Sequence, residues 1–256
     1  MANVVPLDPT RHAQKGFQRG AGFRFAARQS VVPLGWSEFA SAAPAMPIAF
    51  MQQGEHYLPV VLLGLAQASN LFVGPRGEWF GQYVPAMLRV YPLYLVRNEG
   101  SEQAILSVDE ESGLIADASG ENVEKFYESD GTLSATTNAI LETLRRTEQD
   151  RTKADLAIAA LAAAGVIKPW ALTVRVGNQD VTVNGLYRID EAALNALDDA
   201  AFSKLRKASA VVIAYGQLFS MGQVNLLVRL SLVPKTVAQA AQQSPGQAAP
   251  SDLLPL

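Results

Sequence analysis

The stretch W79-F-G-Q-Y83-V-P-A-M-L-R89-V-Y-P-L-Y-L-V96 decides how the rest of the chain is read. A segment this apolar belongs in a core. Burial then obliges Arg89 and the phenols of Tyr83, Tyr91 and Tyr94 to find partners in or beside that core. Pro85 suits a first helical position and Pro92 cannot continue a helix, so residues 84–90 are expected to form one helical turn, with 93–96 resuming as a strand. The chain therefore mixes short strands with helical turns.

Composition bounds the rest. At 256 residues and 49% hydrophobic content the chain is long enough to bury a substantial core, as one domain or one domain with an appendage. A formal charge of -3 provides no field to attract nucleic acid, so no nucleic-acid partner is expected. The absence of cysteine excludes disulfides, thiolate metal sites and cysteine nucleophiles together. The opening residues MANVVPLDPTRHAQKGF contain no apolar run that could serve as a secretory h-region, and the protein is expected in the cytoplasm. Residues 208–232 are the most apolar later window. Gln217, Gly222, Gln223, Asn225 and Arg229 interrupt it, so it reads as a core helix and no membrane span is expected.

In chain order, residues 1–30 read as an N-terminal arm with a first strand, 31–233 as the main domain and 234–256 as a disordered tail rich in Gln, Ala, Pro and Ser. The arm is expected to lie on the body with His12 in it, and residues 23–32 to form the first strand. Further strands are expected at 45–51, 57–65, 70–73 and 104–108, with 115–133 as a surface loop. A long helix is expected over 136–164, ended by Gly165. A hairpin follows across Gly177-Asn178, with strands at 170–176 and 181–189, then a short helix to about residue 197. A second long helix begins at Asp198 or Asp199 and is expected to break near Gly216 or Gly222. The resulting fold class is α+β: a largely antiparallel, curved sheet covered by two long helices.

No residue pattern amounts to a catalytic set. Gly74, Gly77 and Gly81 imitate a phosphate loop only superficially, because Pro75 interrupts them and no lysine-serine pair follows. G-x-S-x-G is absent. His12 and His56 are the only histidines, and His56, after Gln52-Gln53-Gly54-Glu55, is expected in a hairpin turn; neither a metal site nor a cofactor is expected. Asp109 and Glu110 are neighbours at a strand end and face opposite sides, which suits a turn role better than shared acid–base work. Arg89 is expected to pair internally with Asp109 or Glu110 rather than clamp a ligand carboxylate. Trp79, Tyr83, Tyr91 and Tyr94 read first as core. If they line a pocket instead, the ligand or partner candidates are Trp79, Tyr83, Arg89, Tyr91, Asp109 and Tyr215.

Several segments in one order carry a resemblance. Val32-Pro33-Leu34, Pro47-Ile48, Leu58-Pro59-Val60, Asn70-Leu71-Phe72, Trp79 with Gly81-Gln82-Tyr83-Val84-Pro85, Leu88-Arg89-Val90-Tyr91-Pro92, Asp109-Glu110, Gly185-Leu186-Tyr187 and Ala214-Tyr215 together resemble the SapC-like family of Gram-negative bacterial proteins. It is not the similarly named peptide-transport permease, which needs several membrane spans. The resemblance implies an accessory or ligand-binding protein working beside a TonB-dependent outer-membrane uptake system, with a small molecule or peptide as ligand. Two alternatives go with it: an enzyme or partner of a flavoprotein resembling tryptophan halogenases, and a surface-layer assembly factor. It brings no catalytic residues with it. Where the family pattern has His or Gln after Tyr-Ala in the last helix, this chain reads Tyr215-Gly216-Gln217.

Overall fold

A computed structural model describes residues 3–97 and 103–233; the tail expected at 234–256 lies outside the described residues. The strands are β1 (Val4–Pro6), β2 (Lys15–Gln18), β3 (Val31–Pro33), β4 (Ile48–Gln53), β5 (His56–Leu62), β6 (Leu93–Arg97), β7 (Ala104–Asp109), β8 (Ile115–Asp117), β9 (Val123–Lys125), β10 (Ile167–Val176) and β11 (Gln179–Ile189). The helices are α1 (Phe39–Ala42), α2 (Ala86–Arg89), α3 (Ala135–Ala163), α4 (Glu191–Asn195), α5 (Asp199–Lys207), α6 (Ala210–Ser220) and α7 (Val224–Leu232). All strand pairs are antiparallel, in sheets ordered β10-β11-β4-β5-β3, β1-β7-β6 and β8-β2-β9. The chain is α+β, as its residues predict.

Local chemistry sets the long elements. Ser134 caps α3 by accepting from Thr137 N–H, and Gly165 at φ 69° ends it, a backbone angle that other residues rarely adopt. Gly177 at φ 60° turns the β10–β11 hairpin. Ala154, Ala157, Ile158 and Leu161 on α3 are buried in the larger core, beside Phe39, Phe50, Leu62 and Ile213. The second long helix breaks earlier than its glycines suggest: Ser209, at φ 56°, separates α5 from α6. A 3-10 turn over Met221–Gln223 then bends the chain at Gly222 into α7. Gly216 stays helical inside α6, packed so closely on Phe39 that a Cβ there would come within 3.2 Å of the ring. The run Ala210–Leu232 is long and apolar enough to cross a membrane by length and composition, and its Ile213, Ala214, Gln217, Ser220 and Leu227 are buried against the protein.

The opening stretch joins two cores. Leu88 is buried in the larger cluster, whereas Val90 and Leu93 belong to a second one with Val108, Phe126, Tyr127 and Leu144. Rings in contact run between them, from Phe72 stacked on Trp79, through Phe23 and Phe25, to Tyr91 and Tyr94. Segments 79–96 thus hold the two halves in register by packing.

Several sequence expectations are corrected. The strand expected over 23–32 survives only as β3. Phe23 N–H bonds to Gly77 O at 2.7 Å, which pins the chain into a 3-10 turn over Arg24–Ala26. Residues 70–73 form a side-chain-closed turn, Asn70 Oδ1 accepting from Phe72 N–H, with one isolated bridge from Val73 to Trp79. The N-terminal arm is woven into the fold: β1 pairs with β7, β2 is central in its sheet, and His12 is buried. The loop expected at 115–133 supplies β8, β9 and the fully buried Phe126. Elements of three or four residues are too short to show a period, which is why the sequence did not reveal them.

Candidate functional site

The six residues singled out from the sequence fall into three places. Around Glu38, Tyr83 OH donates to Oε1 at 2.6 Å, Ala86 N–H donates to the same oxygen at 2.7 Å, and Gly35 N–H donates to Oε2 at 2.9 Å. Trp79 belongs to the same region, its indole N–H donating to Tyr83 O at 2.8 Å. Arg89 is exposed and lies over the Tyr83 ring, 5.8 Å from its centre. The expected internal pair of Arg89 with Asp109 or Glu110 is therefore corrected. One turn of helix leaves Arg89 on the outer side, and both acids are taken by other groups.

Asp109 is buried and accepts from Asn3 N–H, Glu111 N–H and the Tyr91 hydroxyl, which is the turn role its position suggested. Glu110 bonds Arg11 and His12. Burial, reinforced by Glu38 and Asp109 respectively, raises the phenol pKa values of Tyr83 and Tyr91 well above the usual tyrosine range. These hydroxyls act as fixed donors holding the opening stretch in place. Tyr215 stands apart, in an apolar groove on α6 with Phe39, Val212 and Phe219, whose ring is 75% exposed.

A larger groove, about 590 Å³, lies between α3 and the tip of the β4–β5 hairpin, and none of the six lines it. Its sheet wall is Gln53, Glu55, His56, Tyr57 and Leu58 of the hairpin with Pro33 at the end of β3. Its helix wall is Arg151, Asp155, Ile158, Ala159 and Ala162. The helix residues recur at spacings of four, three, one and three, which is one face of α3. Apolar Leu58 and Ile158 sit beside Glu55, Arg151 and Asp155, none of which makes an ion pair among the described residues. An apolar recess with a few uncommitted polar groups has the composition of a ligand site. The sequence held half of this signal, the Gly54-Glu55 turn and the Arg151–Asp155 pair four residues apart on a helix. Only the packing of helix on hairpin unites them.

The two histidines stand far from any shared role. His56 opens β5 at the hairpin turn, as expected, and faces the groove. His12 takes the Asp8 N–H on Nδ1 at 2.9 Å, and its Nε2 lies 3.1 Å from Glu110 Oε1. Among the described residues no three His, Cys, Asp or Glu side chains come together as a metal-binding group.

Residues 7–227 match the family described as SapC. No curated protein and no solved structure matches the chain.

Proposed function

The chain belongs to the SapC family, and from that premise we propose that it is an accessory, ligand-binding protein, cytoplasmic and without a catalytic step of its own, serving a TonB-dependent outer-membrane uptake system. The observation behind this reading is the groove between α3 and the β4–β5 hairpin, with Glu55, Arg151 and Asp155, none of them ion-paired among the described residues, around an apolar floor. Charges left without partners on a rigid helix and a tight hairpin are preorganised to orient a small molecule or peptide. His56, which lines the same groove as Glu55 and Asp155, supports a second reading, an enzyme or the partner of a halogenase-like flavoprotein, since an imidazole in a groove with carboxylates is suited to proton transfer.

Native mass spectrometry and absorbance of the purified protein test the binding reading. A retained organic ligand is expected, and Arg151→Ala with Asp155→Ala should release it while leaving the melting temperature nearly unchanged, both residues being exposed. Retention unchanged in that double variant would overturn the assignment of the groove. Activity lost on His56→Gln with ligand still bound would favour the enzyme reading.

A further inference from the structure

We infer that the groove takes an extended peptide, which adds to the sheet as a strand beside β5. The inference rests on the ligand-binding reading of the same groove and names the class of ligand. β5 is paired with β4 along its whole length, from Ile48↔Val61 to Gln53↔His56. On its other side β3 covers only Val60–Leu62, in register from Val31↔Leu62 to Pro33↔Val60. The last bond on that side is Leu34 N–H to Pro59 O at 3.0 Å, after which the chain leaves the sheet for the 3-10 turn at Trp36–Glu38.

Backbone groups in a strand face alternate neighbours. Leu63 N–H bonds to Ser30 O and Pro59 O accepts from Leu34, both on the β3 side, while Leu62 N–H bonds to Pro47 O on the β4 side. Tyr57 is the next residue in the β3-facing series. Its N–H and C=O therefore point along the sheet into the groove, where no described strand meets them. An edge of this kind is a template for another chain.

The opposite wall fits a strand. The helix face from Arg151 to Ala162 runs eleven residue steps, about 16 Å at 1.5 Å per step, the length of roughly five residues of extended chain. Ala159 and Ala162 leave room along it. Leu58 and Ile158 favour an apolar side chain at alternate peptide positions. Glu55 and Asp155 outnumber Arg151, so the peptide should carry at least one basic residue.

The test is fluorescence polarisation with a panel of amidated heptapeptides carrying valine at alternate positions and lysine, serine or glutamate between them. Saturable binding by lysine-containing members is expected. N-methylation of the one peptide amide that meets the Tyr57 carbonyl should weaken binding at least tenfold, and methylation of the adjacent amides, which point away, should leave it unchanged. Ala159→Trp, an exposed helix position, should block binding without lowering the melting temperature. Binding that tolerates N-methylation throughout, or that survives Ala159→Trp, would overturn the strand mode. A copurified small molecule that Ala159→Trp expels, with no peptide of the panel bound, would overturn the peptide assignment and leave the ligand-binding reading standing.

Discussion

The side chain of Gln217 stands in for sheet hydrogen bonds at Ile48. Strands β4 and β11 pair only at Leu186↔Met51 and Tyr187↔Phe50 and diverge beyond. In the gap, Gln217 Nε2 donates to Ile48 O at 3.1 Å and its Oε1 accepts from Ile189 N–H at 2.9 Å. Ser220 Oγ accepts from Ile48 N–H at 2.9 Å and donates to Gln217 O at 2.6 Å. All of these groups are buried, so the helix closes the sheet with bonds that would otherwise be unmade. Gln217, which falls where the family pattern has His or Gln, thus has a structural role in this chain.

Gln217→Leu should therefore destabilise the protein by about 3 kcal/mol or more, because each buried backbone group left without a partner costs about 1–3 kcal/mol. Urea unfolding measures it. A loss below about 1 kcal/mol would show that the two strands close the gap unaided.

Glu38 should be the sensitive residue of the opening stretch and Arg89 an insensitive one. Glu38→Gln turns one accepting oxygen into a donor facing donors, and should cost about 2–4 kcal/mol, since hydrogen bonds to charged groups contribute about 1.5–3 kcal/mol each. Tyr83→Phe combined with it should cost less than the sum of the two, by about 0.5–3 kcal/mol, as for any pair in contact. Arg89→Met removes an exposed cation above a ring and should change stability by no more than about 1 kcal/mol. Denaturation of the four variants tests the set. A large loss in Arg89→Met, or strict additivity of the Glu38 and Tyr83 changes, would contradict the arrangement.

Alkali should weaken the fold through its tyrosines. Burial raises the phenol pKa values of Tyr83, Tyr91, Tyr94 and Tyr127 above the ordinary value of 10.0, with Glu38 and Asp109 adding to the effect on the first two. A raised folded pKa means that the unfolded chain loses its protons first as pH climbs. Their contribution is fully present below about pH 10 and is lost as pH rises above it. Stability measured from about pH 8 to 11 should be level and then fall, and Tyr83→Phe with Tyr91→Phe should flatten the fall. An identical decline in the double variant would assign it elsewhere.

The sequence by itself determined the long elements. Its glycines and prolines mark α3, the β10–β11 hairpin and the α2 turn through φ angles and lost donors, and these effects act within a few residues. The apolar load of residues 79–96 likewise announced burial before any neighbour was known. Tertiary structure alone decided the rest. It recruited three- and four-residue strands from the arm and from residues 115–125, and it turned Arg89 outward while its expected acids bonded Asn3, Glu111, Tyr91, Arg11 and His12. It also made the groove, whose walls come from a hairpin and a helix far apart in the chain. Backbone preference is local, whereas which charges lose their partners and which strand edge stays open depend on packing between distant segments. A single sequence does not encode that packing as a readable pattern.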